Sequence, residues 1–189
     1  MIKGIVFDCF GVLTADLWHE FLASLPQGTD IQAIADVHRA YDAGTISKQE
    51  GHDQIMQLAG KEFTEMEDLV QQDITKNTSL LRYIEELSNK YKIGLLSNVG
   101  TNWVRDQFLS EEEQGLFDAM VLSFEVGHNK PDQIMYTTVC DRLGLQPNEI
   151  LYIDDMSRYC IAAEEIGMQA IQYRTFEQCK KDIERALNG

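Results

Sequence analysis

The chain has 189 residues, 44% of them hydrophobic and 25% charged, with 16 Lys and Arg against 31 Asp and Glu for a net charge of −15. That length suits one domain, or one domain carrying a modest insert, and the acidic balance excludes partners whose phosphates are held by Lys and Arg, both nucleic acid and anionic membrane surfaces. Four scattered cysteines (Cys9, Cys140, Cys160, Cys179) without a C-x-x-C pair argue against a zinc site or disulfide framework, and for reduced thiols in a cytoplasmic protein.

The chain opens with Ile2 to Phe7, a short β-type run ending at Asp8, which reads as a buried strand rather than a signal peptide. Residues from about 16 to 76 then read as helix after helix. Ile31, Ile34, Ala35, Val37, His38 and Tyr41 fall at helical spacing, with Gly44 as the stop. Ser47 with Glu50 predicts a capping box before a helix closed by Gly60, and Thr64 with Glu67 repeats that signal ahead of Leu69, Val70 and Ile74. From about residue 77 helices and strands alternate. Leu80, Leu81, Ile84 and Leu87 predict a helix, Tyr91 to Leu96 a strand, residues near 101–109 a helix, and Ala119 to Leu122 a strand. Pro131 is expected at a first helical position, ahead of a stripe of Ile134, Met135, Val139 and Leu143 stopped by Gly144. Ile150 to Ile153 is a strand ending at Asp154-Asp155, a helix through Ile161 and Ile166 stops at Gly167, and Met168 to Gln172 is the last strand. Alternation of this kind predicts parallel pairing with right-handed crossovers. The expectation is an α/β core over residues 1–15 and 77–189, a doubly wound parallel sheet, interrupted by a helical insert over residues 16–76.

Open parallel sheets bind ligands beyond the carboxyl ends of their strands. Here those ends carry Asp8, Ser97, Ser123 and the pair Asp154-Asp155, so three carboxylates and two hydroxyls converge on one edge. Two like charges 4 Å apart repel by about 4 kcal/mol at an effective dielectric of 20. The cluster therefore needs a cation, or some of the acids must stay protonated. Oxygen donors without nearby His or Cys favour Mg²⁺, which usually keeps waters and adds a substrate phosphate. Lys130 is the cation placed to join them. His19, His38, His52 and His128 read as surface or helix-face residues, His128 being the one to watch because it lies two residues before Lys130. Glu111-Glu112-Glu113 reads as a solvated turn, and Tyr136 as a packing residue of its helix.

Four segments in order resemble the four motifs of the haloacid dehalogenase (HAD) superfamily: F-D-C-F-G-V-L at 7–13, L-L-S-N at 95–98, N-K-P-D-Q-I-M-Y at 129–136 and Y-I-D-D at 152–155. The helical insert after the first resembles that family's small α-helical cap. The stretch around Lys130 is similar to the branch holding sugar-1-phosphate phosphatases and the N-terminal domains of soluble epoxide hydrolases. The resemblance implies that Asp8 is a nucleophile forming an aspartyl-phosphate, a chemistry that splits one hard transfer into two easier steps. It further implies that Ser97 and the backbone around Asn98 hold phosphoryl oxygens while Lys130 balances their charge. Mg²⁺ would be bound by Asp8, Asp154, Asp155 and the backbone carbonyl of Phe10. The expected partner is a small phosphorylated metabolite, handled by a monomer or homodimer.

One departure stands out. Family phosphatases carry a second Asp two residues after the nucleophile as general acid and base, and here that position is Phe10. Losing such a group costs about 10²- to 10⁴-fold, so the resemblance implies a weakened activity, a substrate with a good leaving group, or an acid borrowed from the insert, where Asp16, Glu20 and Asp42 are the candidates. Tyr159 replaces the Asn often found four residues after the acidic pair. An aromatic residue at position 10 also resembles the metal-free 2-haloacid dehalogenases, with Arg39 as a conceivable carboxylate partner, yet those enzymes lack the acidic pair kept here. Two alternatives thus accompany a Mg²⁺-dependent phosphatase: a dehalogenase-like enzyme, and a non-catalytic phosphate- or metal-binding protein with the same fold.

Overall fold

The computed structural model describes residues 1–60 and 75–188. The predicted insert signal at Thr64 and Glu67 lies outside them. Five parallel strands form one sheet in the order β3-β2-β1-β4-β5: β1 Gly4–Phe7, β2 Lys92–Ser97, β3 Ala119–Leu122, β4 Ile150–Asp154 and β5 Gln169–Gln172. Register sets Phe7 beside Leu95 on one side and Ile153 on the other, so β1, β2 and β4 end level. The central strands are apolar along their length because helices cover both faces of a parallel sheet. Alternation sorts their side chains. Ile5, Phe7, Ile93, Leu95, Leu151 and Ile153 pack into one cluster, and Val6, Leu96, Ile150 and Tyr152 into another with Met135, Tyr136 and Val139. The expected strands and doubly wound α/β class are those observed.

Helices α1 (Leu17–Ser24), α2 (Ile31–Asp42) and α3 (Lys48–Ala59) follow β1. Each starts where a side chain satisfies an otherwise orphaned N–H. Asp16 accepts from Trp18 N–H, Asp30 from Ala33 N–H, and Ser47 with Glu50 forms the anticipated capping box. Ile34, Ile55 and Ala59 make a separate small core under Trp18, Phe21 and Leu22. Among the described residues no helix is long and apolar enough to cross a membrane.

Two local expectations are corrected. Pro131 is not at a first helical position: the helix spans Gln133–Leu143, and the Asp132 carboxylate caps it by accepting from Ile134 N–H at 3.0 Å. A capping carboxylate fixes a helix start more strongly than a proline's preset φ. The segment near 101–109 forms only a π-helical turn, Val104–Phe108, with Val104 and Phe108 buried under the sheet edge.

Candidate active site

The loop after β1 turns sharply. Gly11 sits at φ +80°, and a Cβ there would fall 2.5 Å from the Asp155 carboxylate, so only glycine lets the two loops approach. Asp8 and Asp155 consequently face one another across the strand ends. Carboxylate oxygens of Asp8, Asp154 and Asp155 all lie within 4.8 Å of one another.

Lys130 penetrates this acidic group. Its Nζ lies 2.8 Å from Asp8 Oδ1 and 2.7 Å from Asp154 Oδ2, with the lysine side chain 1% exposed. Burial alone would lower its pKa, but Asp154 and Asp8 more than reverse this and hold it above the ordinary lysine value. Asp8 is raised above the ordinary carboxylate range by burial first and Asp154 second, with Lys130 pulling the other way. Asp155 is pushed to about 6 by burial, then by Asp154 and Asp16. Charge is thus concentrated where little solvent can disperse it.

The acids are engaged differently. Asp154 is fully buried, its Oδ1 accepting from Met156 N–H at 2.8 Å and its Oδ2 from both Lys130 and the Tyr152 hydroxyl. Asp8 Oδ1 accepts from Cys9 N–H at 2.7 Å as well as from Lys130. Asn98 grips the Lys130 backbone from both sides: its Oδ1 accepts Lys130 N–H at 2.7 Å and its Nδ2 donates to the Lys130 carbonyl at 3.2 Å. Tyr159 lies under the lysine, its ring centroid 4.9 Å from Nζ. Tyr136 packs edge-on against Tyr152 and donates to the Tyr159 carbonyl at 3.0 Å.

A cavity of about 780 Å³ opens over this group, with Asp8, Lys130, Asp155 and Asn98 on its core wall and residues of α1, α2 and α3 around the rest. Ser97 and Asp154 are absent from its lining. Ser97 is fully buried, its hydroxyl 3.5 Å from the Asn98 carbonyl. Phe10 lines the cavity with its ring stacked on Trp103 (centroids 5.6 Å apart), which in turn stacks on Phe108.

His38, His52 and His128 lie on the surface or on helix faces, as expected, but not all face solvent. His128 is exposed and pairs with Asp132 at 2.7 Å, whereas His38 on α2 and His52 on α3 line the cavity, and His38 is the more tightly held. Its ring lies flat on Trp18 with centroids 3.7 Å apart, and its Nδ1 is 3.2 Å from Asp42 Oδ2. Burial lowers His38 to about 4 and raises Asp42 to about 8, which favours a neutral ring beside a protonated acid at neutral pH. The i,i+4 spacing of His38 and Asp42 is visible in sequence; which face of α2 meets the cavity is not. Asp16 lines the cavity too, while the side chain of Glu20 lies outside what the structure describes.

A protonated Asp42 has a stability consequence. Its folded-state pKa stands above the unfolded value of 3.8, so in that window the unfolded chain releases the proton and gains relative to the native state as pH rises. Asp42→Asn cannot titrate. Its melting temperature relative to the unsubstituted protein should therefore climb as pH is raised from about 5 to about 8. Parallel melting curves across that range would show Asp42 already ionised.

Fold and site together define a doubly wound α/β protein with a carboxylate–lysine centre at its strand ends. The chain belongs to the haloacid dehalogenase-like hydrolases, whose family model matches residues 26–173. It is 27% identical to D-ribitol-5-phosphate phosphatase of Bacteroides thetaiotaomicron, with 100% of both chains covered. Among solved structures it superposes on a HAD-like family hydrolase from Porphyromonas gingivalis with a TM-score of 0.76, at 23% identity, covering 100% of this chain and 99% of that one. A HAD family enzyme from Bacteroides thetaiotaomicron in complex with magnesium and inorganic phosphate gives a TM-score of 0.67 at 22% identity, covering 93% and 96%.

Proposed function

We propose that the protein is a Mg²⁺-dependent phosphatase of a small phosphorylated metabolite, working through an aspartyl-phosphate on Asp8. The observation that carries this reading is the acidic group around a buried lysine at the floor of a cavity large enough for a phosphorylated metabolite. Its donors are all oxygen, which suits a hard divalent cation. The approach permitted by Gly11 brings the Asp155 carboxylate to the nucleophile's loop. Magnesium and inorganic phosphate in the Bacteroides structure, and the phosphatase activity named for the full-length relative, support the same reading.

Asp8 and Asp155, with the Phe10 carbonyl, would hold the ion. Asp154 remains part of the acidic set but spends its oxygens on Lys130, Tyr152 and Met156, so its work is to aim the lysine. The metal supplies positive charge to offset the phosphoryl oxygens and the nucleophile. Lys130 offers a second cation beside Asp8, and Asn98 fixes its backbone. Ser97 would complete the phosphoryl pocket after a small local shift that frees its hydroxyl. Helices α1, α2 and α3, within an insert over residues 16–76, would act as a cap that excludes water and reads the leaving group. The Phe10–Trp103 stack is an apolar wall of the kind a dehalogenase would use, but the retained acidic pair favours phosphate chemistry.

Phosphate release from a panel of polyol, sugar and acyl phosphates, with Mg²⁺ and with EDTA, tests the proposal. Release that requires the metal is expected. Halide release from a 2-haloacid in EDTA, or no turnover on any ester, would overturn it.

A further inference from the structure

The phosphatase reading leaves a proton unaccounted for. The leaving oxygen of an alkyl phosphate needs one as its bond to phosphorus breaks, and Phe10, stacked on Trp103, has none to give. The cavity wall on α2 carries a pair that does. His38 and Asp42 are in contact at 3.2 Å and line the same cavity as Asp8, Lys130 and Asp155. Both groups are fixed in place. The imidazole is held flat against Trp18, and the Asp42 backbone carbonyl accepts from Ser123 Oγ at 2.6 Å, anchoring this turn of α2 to the strand-end loop after β3. That hydroxyl also accepts from Val99 N–H at 2.7 Å, on the loop that follows β2. Asp16, which lines the cavity as well, acts electrostatically on both His38 and Asp155.

We infer that His38, backed by Asp42, performs the proton transfers that position 10 cannot, with His38 as general acid and base and Asp42 as its proton reservoir. The inference rests on the phosphatase reading above. Burial supports the starting state, a neutral ring beside a protonated acid, and Asp42 Oδ2 lies 3.2 Å from Nδ1, placed to pass its proton there while the ring's own hydrogen sits on Nε2. Asp16 on α1 and Arg39 on α2 are the charged groups acting on the ring, with opposite signs.

In the first step an Asp8 oxygen bonds to phosphorus as the bond from phosphorus to the ester oxygen breaks. Nε2–H passes to that oxygen, the Asp42 proton moves to Nδ1, and the alcohol departs. In the second, water attacks phosphorus and the bond to Asp8 breaks. The proton of that water goes to Nε2, and Nδ1–H returns to Asp42. One ester and one water become one alcohol and one phosphate, and the pair ends as it began. A neutral dyad also spares an already acidic centre a further negative charge.

The test compares kcat/KM, which counts only steps up to leaving-group departure, for a polyol phosphate and for p-nitrophenyl phosphate in Mg²⁺. His38→Gln should lower the polyol ester by about 10²- to 10⁴-fold and the nitrophenyl ester by less than about tenfold, because nitrophenolate leaves without a proton. Asp42→Asn, which preserves the contact to Nδ1 but cannot pass a proton, should give the same asymmetry. Adding Phe10→Asp to His38→Gln should recover the polyol ester selectively. Equal losses on both esters in both variants would make the pair structural and overturn the inference, as would no loss in either. If the unsubstituted protein hydrolyses neither ester, the phosphatase reading itself has failed, and that result is distinct from a failure of the dyad alone.

Discussion

Lys130→Met should cost about 3–5 kcal/mol of stability, the usual penalty for removing one partner of a buried ionic group. The side chain is 1% exposed and its Nζ contacts both Asp8 and Asp154, so methionine fills the space but leaves two buried carboxylates facing one another. Against a typical total of about 5–15 kcal/mol this is severe, and for a chain of this length it corresponds to a melting-point drop of about 10–15 °C. The sign of the pH dependence identifies the cause. Asp8 is already raised above its ordinary range, and without the lysine it is raised further. The folded variant therefore binds the extra proton, and its deficit is present above the unfolded carboxylate pKa and shrinks as pH falls. Melts in EDTA at about pH 5 and about pH 8 measure this; an identical deficit at both would locate the damage elsewhere. Mg²⁺ should restore more stability to the variant than to the unsubstituted protein, because a second cation then faces acids that lack their first.

Asp8→Asn should leave the fold intact and stop turnover. An amide oxygen can still accept from Cys9 N–H and Lys130, and removing one charge relieves a crowded acidic group. As a nucleophile it is useless, and phosphate release should fall by about 10⁶-fold, the scale seen when the attacking group of a covalent mechanism is removed. Melting curves and phosphate assays on the same preparation separate the two effects. Substantial residual release would move the nucleophile's role to another group.

The sheet was legible because strands covered on both faces read as mostly apolar runs, as β1 to β4 do, whereas the half-exposed edge strand β5, with Gln at both ends, was marked by the Gly167 stop before it. Asp8, Lys130 and Asp155 were legible for the same reason, since strand ends and the loop beyond them define where charge can gather. Asp154 closes β4 whereas Asp155 begins the loop beyond it, and only the loop residue looks into the cavity. Ser97 and Asp154 were read from the same strand ends, yet both lie behind the surface that the cavity presents. The His38–Asp42 pair was legible as an i,i+4 spacing on one helix, but its place on the cavity wall was hidden, as was the Phe10–Trp103 stack. Both depend on how the helices settle over the sheet, and no local pattern encodes that angle.

The attachment of α2 to the core works as a fulcrum. Ser123 Oγ donates to the Asp42 carbonyl and Asn129 Nδ2 to the Arg39 carbonyl, each at 2.6 Å, and a Cβ on Gly100 would strike the Tyr41 ring at 2.5 Å. All three ties fall in the last turn of a 12-residue helix, while nearer its start Ile34 is fully buried against Ile55 and Ala59 of α3. The helix therefore works as a pin: its last turn holds the core and its first half holds α3, so any swing of the insert turns about the residues beside His38 and Asp42, which move least.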